Sequence, residues 1–371
     1  MSSITKAVTA LVGTTYKLSL NRNYVSKWTA IDAIRELIQN ALDSDSPFKY
    51  EFIHDGNGSY TLILNSEHTV LQPRTLLLGV TSKQDNYDAI GSFGEGFKIA
   101  LLVLTRNGYD VKMHNGDVIW APEFRHDARF GEEILCIVES PILQREYAGL
   151  TFKIPGLDEQ SMDEIRASCL LMQSTVGEIY STQWGDILVD RPGNLYVGNL
   201  FVCTTGFKYG YNIHPKYITL ERDRKTVSSW SLGEVTSKMW YTRPADVVAQ
   251  MIQDELPDVE YARYNAPELV KEACYQEFRK NNPGALIASS VYEMQEAIKK
   301  GMTKTVYVGG GMYDAVSSSR SYRAEAPSLK KVFDPPHTIL TDWFREHRSE
   351  MRTPAIVSFK ELLTKAKDWK L

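Results

Sequence analysis

Two periodicities alternate along the chain. Apolar residues recur at helical spacing through "AIDAIRELIQNALDSD", and the pattern predicts a helix over residues 24–43. "YEFIHDGNGSYTLILNS" then switches to two β-rich runs either side of Asp55-Gly56-Asn57-Gly58, a hairpin signal. "QPRTLLLGV" reads as a short helix with Pro73 near its start. "TSKQDNYDAIGSFGEG" reads as a polar, glycine-bearing loop, and "FKIALLVLTRNG" as an apolar helix closed by Asn107-Gly108. Four short strands are expected in "YDVKMHNG", "DVIWAPEF", "EILCIVES" and "GLTFKIPG". Helix, hairpin, helix, loop, helix and then a run of strands predict an α+β two-layer sandwich, a mostly antiparallel sheet with helices on one face. Pro155-Gly156 is the expected boundary.

Residues 157–175 read as helical again, and "DILVD", "NLYVGNLFVCTT" and "KYITLERDR" read as strands. From Val227 onward helical spacing dominates, anchored by Trp230, Met239, Trp240, Val247, Met251 and Ile252. "ALIASSVYEMQEAIKKGMTKTVYVGGG" reads as strand–helix–strand, and the tail from Ser328 as a charge-mixed helix. Three regions are expected: 1–155, 156–250 as a second α+β domain, and 251–371 as a C-terminal α/β or helical region.

Composition narrows the class. With 43% hydrophobic and 24% charged residues, the 371-residue chain has the make-up of a globular protein. Its net charge of −4 advertises no nucleic-acid partner, though a local basic patch is not excluded. Cys136, Cys169, Cys203 and Cys274 are scattered, with neither CxxC pairs nor zinc spacing, as expected of reduced thiols in a cytoplasmic protein. No signal-peptide pattern opens the chain. No run approaches the roughly 18 apolar residues of a membrane span, so no membrane partner is expected.

The chemistry sits on two polar stretches. In "ELIQNALDSD", Glu36, Asn40 and Asp43 project within an arc of roughly 60°, opposite Ile34, Leu37, Ile38, Ala41 and Leu42. Taken alone, that stripe reads as the wet side of an amphipathic helix. In "GSFGEGFKIALLVL", glycines at 91, 94 and 96 open a helix. Glycine permits close backbone approach, and a helix N-terminus offers unpaired N–H groups, which together favour phosphate. No Gly-Lys-Ser/Thr follows, so this is not a Walker A loop, and a polar loop precedes it where a dinucleotide fold would have a strand. A triphosphate held here needs a divalent cation. Asn40 could give it an oxygen, and Glu36, one turn earlier, could polarise the attacking water.

Glu36-x-x-x-Asn40-Ala41-x-Asp43 resembles the N-box of the GHKL ATPases, the superfamily of gyrase-type topoisomerases, ninety-kilodalton heat-shock chaperones, MutL proteins and histidine kinases. "IGSFGEGFKIALLV" resembles the glycine box of the chaperones, "TSK" at 81–83 the start of the MutL lid, and "GLTFKI" a late strand whose threonine lies near adenine. The resemblance covers residues 25–155 and implies a Bergerat-type ATP-binding sandwich using ATP and Mg2+. It implies Glu36 as general base, Asn40 as magnesium ligand and Asp43 in support. Gly91, Ser92, Phe93, Gly94, Glu95, Gly96 and Phe97 would form the phosphate loop, Lys83 would reach a phosphate from the lid, and Thr151 would lie near adenine. Asn65 stands where the family's first glycine box carries Asp, and both of that box's glycines are absent in "LNSEHTVL".

The resemblance also implies that a transducer-like second domain sends a cation to the γ-phosphate, and Arg222, Arg224 and Lys225 in "ITLERDRKTV" stand at the corresponding point in chain order. The expected activity is ATP hydrolysis that drives conformational change or homodimerisation through lid closure. A non-catalytic nucleotide-gated interaction module is the alternative. A histidine-kinase-like enzyme is less favoured, because such kinases carry Asn where Glu36 stands and the residues before Glu36 contain no His. No client protein is legible.

Overall fold

The first helix begins where a capping box permits. Thr29 accepts from the Asp32 amide at 3.2 Å, and Asp32 accepts from the Thr29 amide at 3.0 Å. Helix α1 therefore spans Ala30–Leu42, six residues later than the apolar spacing predicts. The residues before it are turns, with Val25 at a φ of 47°. They wrap the guanidinium of Arg106, which donates to the carbonyls of Arg22, Tyr24, Val25 and Trp28 at 2.9–3.2 Å. That competing set of bonds is what displaces helix from 24–29.

The computed structural model describes residues 13–44, 46–56, 58–77, 95–220, 227–302, 304–332 and 336–367. Two compact units divide the chain: 1–181 with 185–205 and 210–227, and 182–184 with 206–209 and 228–371.

The first unit is built on seven strands: β1 (Thr15–Asn21), β2 (Lys49–Gly56), β3 (Ser59–Ser66), β4 (Lys112–Asn115), β5 (Val118–Asp127), β6 (Glu132–Pro141) and β7 (Leu150–Leu157). Their order is β1-β6-β5-β4-β7-β3-β2, and every neighbouring pair is antiparallel. The expected hairpin is β2–β3. The expected boundary dipeptide Pro155-Gly156 lies inside β7. "QPRTLLLGV" gives, along its described length, a 3-10 turn at Pro73–Leu76 and not a longer helix.

Strand alternation sends Leu62, Leu64, Met113, Leu135, Ile137, Phe152 and Ile154 to one face. There they form one core with Ile34, Leu37 and Ile38 of α1 and with helix α2 (Gly96–Arg106). Residues 98–104 of α2 are all buried, so this helix is enclosed around its whole circumference. Helix α3 (Glu159–Ala167), capped by Asp158, adds Ile165 to the same core. The large antiparallel sheet with helices on one face is the architecture expected.

A second sheet follows in the order β11-β10-β12-β9-β8, formed by β8 (Ile179–Thr182), β9 (Gly185–Leu188), β10 (Asn194–Val197), β11 (Leu200–Thr204) and β12 (Gly210–Ile213). Gly198 and Asn199, at φ of 55° and 72°, make the tight β10–β11 turn. "KYITLERDR" is not a strand along its described length. Pro215 starts a 3-10 turn at Pro215–Tyr217, and Leu220 makes a single bridge to Val227.

The second unit is mostly helical, as expected from Val227 onward. It carries β13 (Leu286–Ala288) and β14 (Thr305–Tyr307), paired in parallel around the helix Val291–Lys299. Buried Asp258 accepts from the amides of Lys208 and Tyr209 at 2.9 and 3.1 Å and so fixes the 206–209 turn. Among the described residues no helix is long and apolar enough to cross a membrane.

Replacing Arg106 with Met removes four charge-assisted contacts to main-chain carbonyls. The expected loss is about 2–3 kcal/mol in urea unfolding, with faster amide exchange across 22–29. A loss below about 0.5 kcal/mol would mean that the capping box alone sets the start of α1.

Candidate functional site

The two polar motifs, sixty positions apart in the chain, meet in the fold. Helix α1 packs against α2, and the first residue of α2, Gly96, stands directly over Glu36 and Asn40. A Cβ at Gly96 would lie 2.7 Å from Glu36 Oε2 and 3.3 Å from Asn40 Nδ2. A side chain there would require the end of the Glu36 side chain to shift.

The stripe is not a solvated face. Glu36 is 5% exposed and Gln39 3%, while Asn40 and Asp43 are half-buried. Asn40 Nδ2 donates to the Glu36 carbonyl at 2.7 Å. With its N–H end so engaged, the side chain has its Oδ1 to offer a hard cation. Among the described residues no group of three or more His, Cys, Asp or Glu could hold a metal. Asp43 caps the C-terminus of α1, one turn beyond Asn40.

Glu95 is the N-cap of α2 and makes no side-chain cap bond, Gly96 is the first helical residue, and half-buried Phe97 packs on the core. Lys83, Gly91, Ser92, Phe93 and Gly94 lie outside the described residues, as do Arg222, Arg224 and Lys225.

Asn65 and Thr151 are brought together, but not to Glu36. They are register partners on β3 and β7, and Asn65 Nδ2 donates to Thr151 Oγ1 at 2.8 Å and to the Ala148 carbonyl at 2.9 Å. Alternation places both opposite Leu62, Leu64 and Phe152, on the sheet face away from the α1–α2 core. The β3 side chain that reaches the end of α1 is Ser66, whose Oγ is 3.5 Å from that of Ser44.

Sequence reasoning passed over Lys98. Its side chain is fully buried in the first turn of α2, and its amine donates to the Leu77 carbonyl. Burial pushes the amine below its usual range, while the Glu95 carboxylate pulls the other way. A lysine interrupting the apolar run "FKIALLVL" is the signal that could have found it.

No protein-family model matches the chain. A protein of Mycoplasma pneumoniae, described as an uncharacterized protein, is 23% identical over 225 residues, covering 57% of this chain and 91% of that protein.

The close approach at Gly96 has a testable energetic signature. Gly96→Ala should destabilise by about 1–3 kcal/mol through overpacking against Glu36. Combined with Glu36→Ala, which removes the obstructing carboxylate, most of that loss should vanish in a double-mutant cycle followed by urea unfolding. Strictly additive losses would show that the two residues do not touch.

Proposed function

We propose that the protein is a magnesium-dependent ATP-binding and ATP-hydrolysing protein of the GHKL type, with a Bergerat-type sandwich as its catalytic domain. One observation carries the reading: the first residue of α2 sits over Glu36 and Asn40, so a helix N-terminus, a carboxylate and an amide converge at one point. The uncapped N-terminus of α2 binds phosphate through its amides and dipole. Asn40 holds the cation that the phosphates carry, and bound magnesium offsets charge on the reacting phosphate oxygens. Glu36 takes the proton of the attacking water. Its burial places the carboxylate in a low-dielectric setting, where a positioned base acts more strongly than in bulk solvent. The antiparallel sheet with helices on one face supports the same reading at the level of architecture. Hydrolysis drives association of two copies or a change of conformation, the role that this superfamily resemblance implies.

Phosphate release and calorimetry test the assignment together. Glu36→Ala should bind ATP with magnesium about as well as the parent and turn it over at least roughly a hundredfold more slowly. Asn40→Ala should lose magnesium-dependent binding as well as turnover. Wild-type turnover in Glu36→Ala removes the catalytic role, and failure of the parent to bind any nucleotide removes the whole reading. Light scattering with a non-hydrolysable ATP analogue should give a larger mass than the nucleotide-free protein, and identical masses would rule out nucleotide-driven association.

A further inference from the structure

Three aromatic rings meet on the surface of the second unit. Trp230 stands in the first turn of the helix Ser229–Trp240, and Tyr261 and Tyr264 come from the one-turn helix Ala262–Asn265 and the residue before it. The Trp230 ring lies edge-on to Tyr261 with centroids 4.6 Å apart, and Tyr264 closes the triangle at 5.8 Å from Trp230 and 5.6 Å from Tyr261. Tyr261 is half-buried and packs over Gly233, where a Cβ would stand 2.6 Å from its ring. The other two rings are open to solvent: Trp230 is 58% exposed and Tyr264 64%. Each ring touches the other two, which restricts its rotamers, so a partner that lands on them has little side-chain entropy left to remove. Large aromatic rings clustered in water and pre-ordered in this way are the composition of a binding surface.

Charge selects the partner. Glu234 follows Trp230 by four positions on one helix and shares its face. It pairs with Lys238 at 2.7 Å, at the rim of the rings. Glu260 precedes Tyr261, is exposed, and forms no ion pair among the described residues. The Tyr261 hydroxyl is raised above its usual range by burial first and by the Glu260 carboxylate next, with Tyr264 and Glu234 adding less, as expected of rings that have both carboxylates for neighbours. From 228 to 265 there are six acidic side chains against three basic ones. Such a surface repels a phosphate backbone. A cation gains twice there, from the ring faces and from the carboxylates.

The chain's own Arg263 shows which cation fits. Its guanidinium lies 5.4 Å from the Tyr264 centroid and 3.6 Å from an Asp314 carboxylate oxygen, held between a ring and an acid. A guanidinium is planar and weakly hydrated, so it stacks on an aromatic face and forks to a carboxylate at once, which a compact ammonium does less well. Trp230 and Glu260 repeat those two partners with no cation of this chain recorded on either.

We propose that this face docks an arginine-bearing segment of a partner protein, with a guanidinium stacked on Trp230 and paired with Glu260. The proposal is independent of the nucleotide reading above.

Fluorescence anisotropy on the nucleotide-free full chain tests it at physiological salt. The probes are a labelled arginine–glycine repeat peptide, a lysine–glycine peptide of the same length and a single-stranded thymidine oligonucleotide. The arginine peptide should bind more tightly than the lysine peptide, and the oligonucleotide should not bind. Trp230→Ala and Glu260→Gln should each weaken the arginine peptide at least about threefold. Trp343→Ala, which removes an exposed tryptophan from the helix Pro336–His347, should leave binding unchanged. Should Trp230→Ala fail to fold, the exposed Glu260→Gln decides alone. Absence of peptide binding, equal affinity in the Trp230 and Glu260 variants, or capture of the oligonucleotide in place of the peptide would overturn the proposal. So would a nucleotide-free dimer in light scattering that Trp230→Ala dissolves, because a second copy of the chain would then cover the face.

Discussion

Helix α2 is enclosed on every side, and that enclosure governs the geometry of the rest of the first unit. Residues 98–104 are all buried, so no face is free to turn toward water. Rotating or sliding such a helix would open cavities at the cost of several kcal/mol. Both ends are also engaged. At the C-terminus, Arg106 complements the dipole and gathers four carbonyls of the segment leading into α1. At the N-terminus, Gly96 rests on the side chains of Glu36 and Asn40. Helix α1 is thus registered against α2 at two points, one through its entry segment and one through its polar stripe.

This explains why a carboxylate is tolerated at 5% exposure in α1. A buried acid needs donors or a cation to offset its desolvation. Glu36 lies at the N-terminus of a neighbouring helix, whose positive end supplies part of that offset. The same positive end makes the first turn of α2 a poor place for Lys98, and the conflict is local: Asp32 answers the dipole of α1, whereas nothing acidic in its own first turn answers that of α2.

The remote face of the sheet follows a different logic. Asn65 and Thr151 satisfy each other and the Ala148 carbonyl there, and buried Asp127 is paired with Lys17 and Arg129, which hold its carboxyl far below the usual range. These are closed sets of partners, and they hold strands in register. The Glu36–Asn40–Gly96 convergence lies on the other face, where α1 meets the first turn of α2.

Much of the architecture was legible in the chain. The β2–β3 hairpin, the apolar helix after the glycine box, the strand run and the helical second half all follow from local periodicity and turn chemistry, which depend on near neighbours. The polar stripe and the glycine-bearing stretch were each visible as residues, and the need of a bound triphosphate for a cation and a base was the argument that joined them. Local pattern could not decide which way side chains face across the sheet. The register of β3 against β7 turns Asn65 and Thr151 away from α1 and turns Ser66 toward it, and a shift of one residue would have reversed this. Nor could it decide that 24–29 gives up its helical spacing to Arg106, whose guanidinium arrives from about eighty residues away. Sequence determined most of the helices and strands; only tertiary packing decided that Glu36 is buried, that Gly96 closely faces it, and that Lys98 lies inside the protein, because each of those facts is a contact between segments distant in the chain.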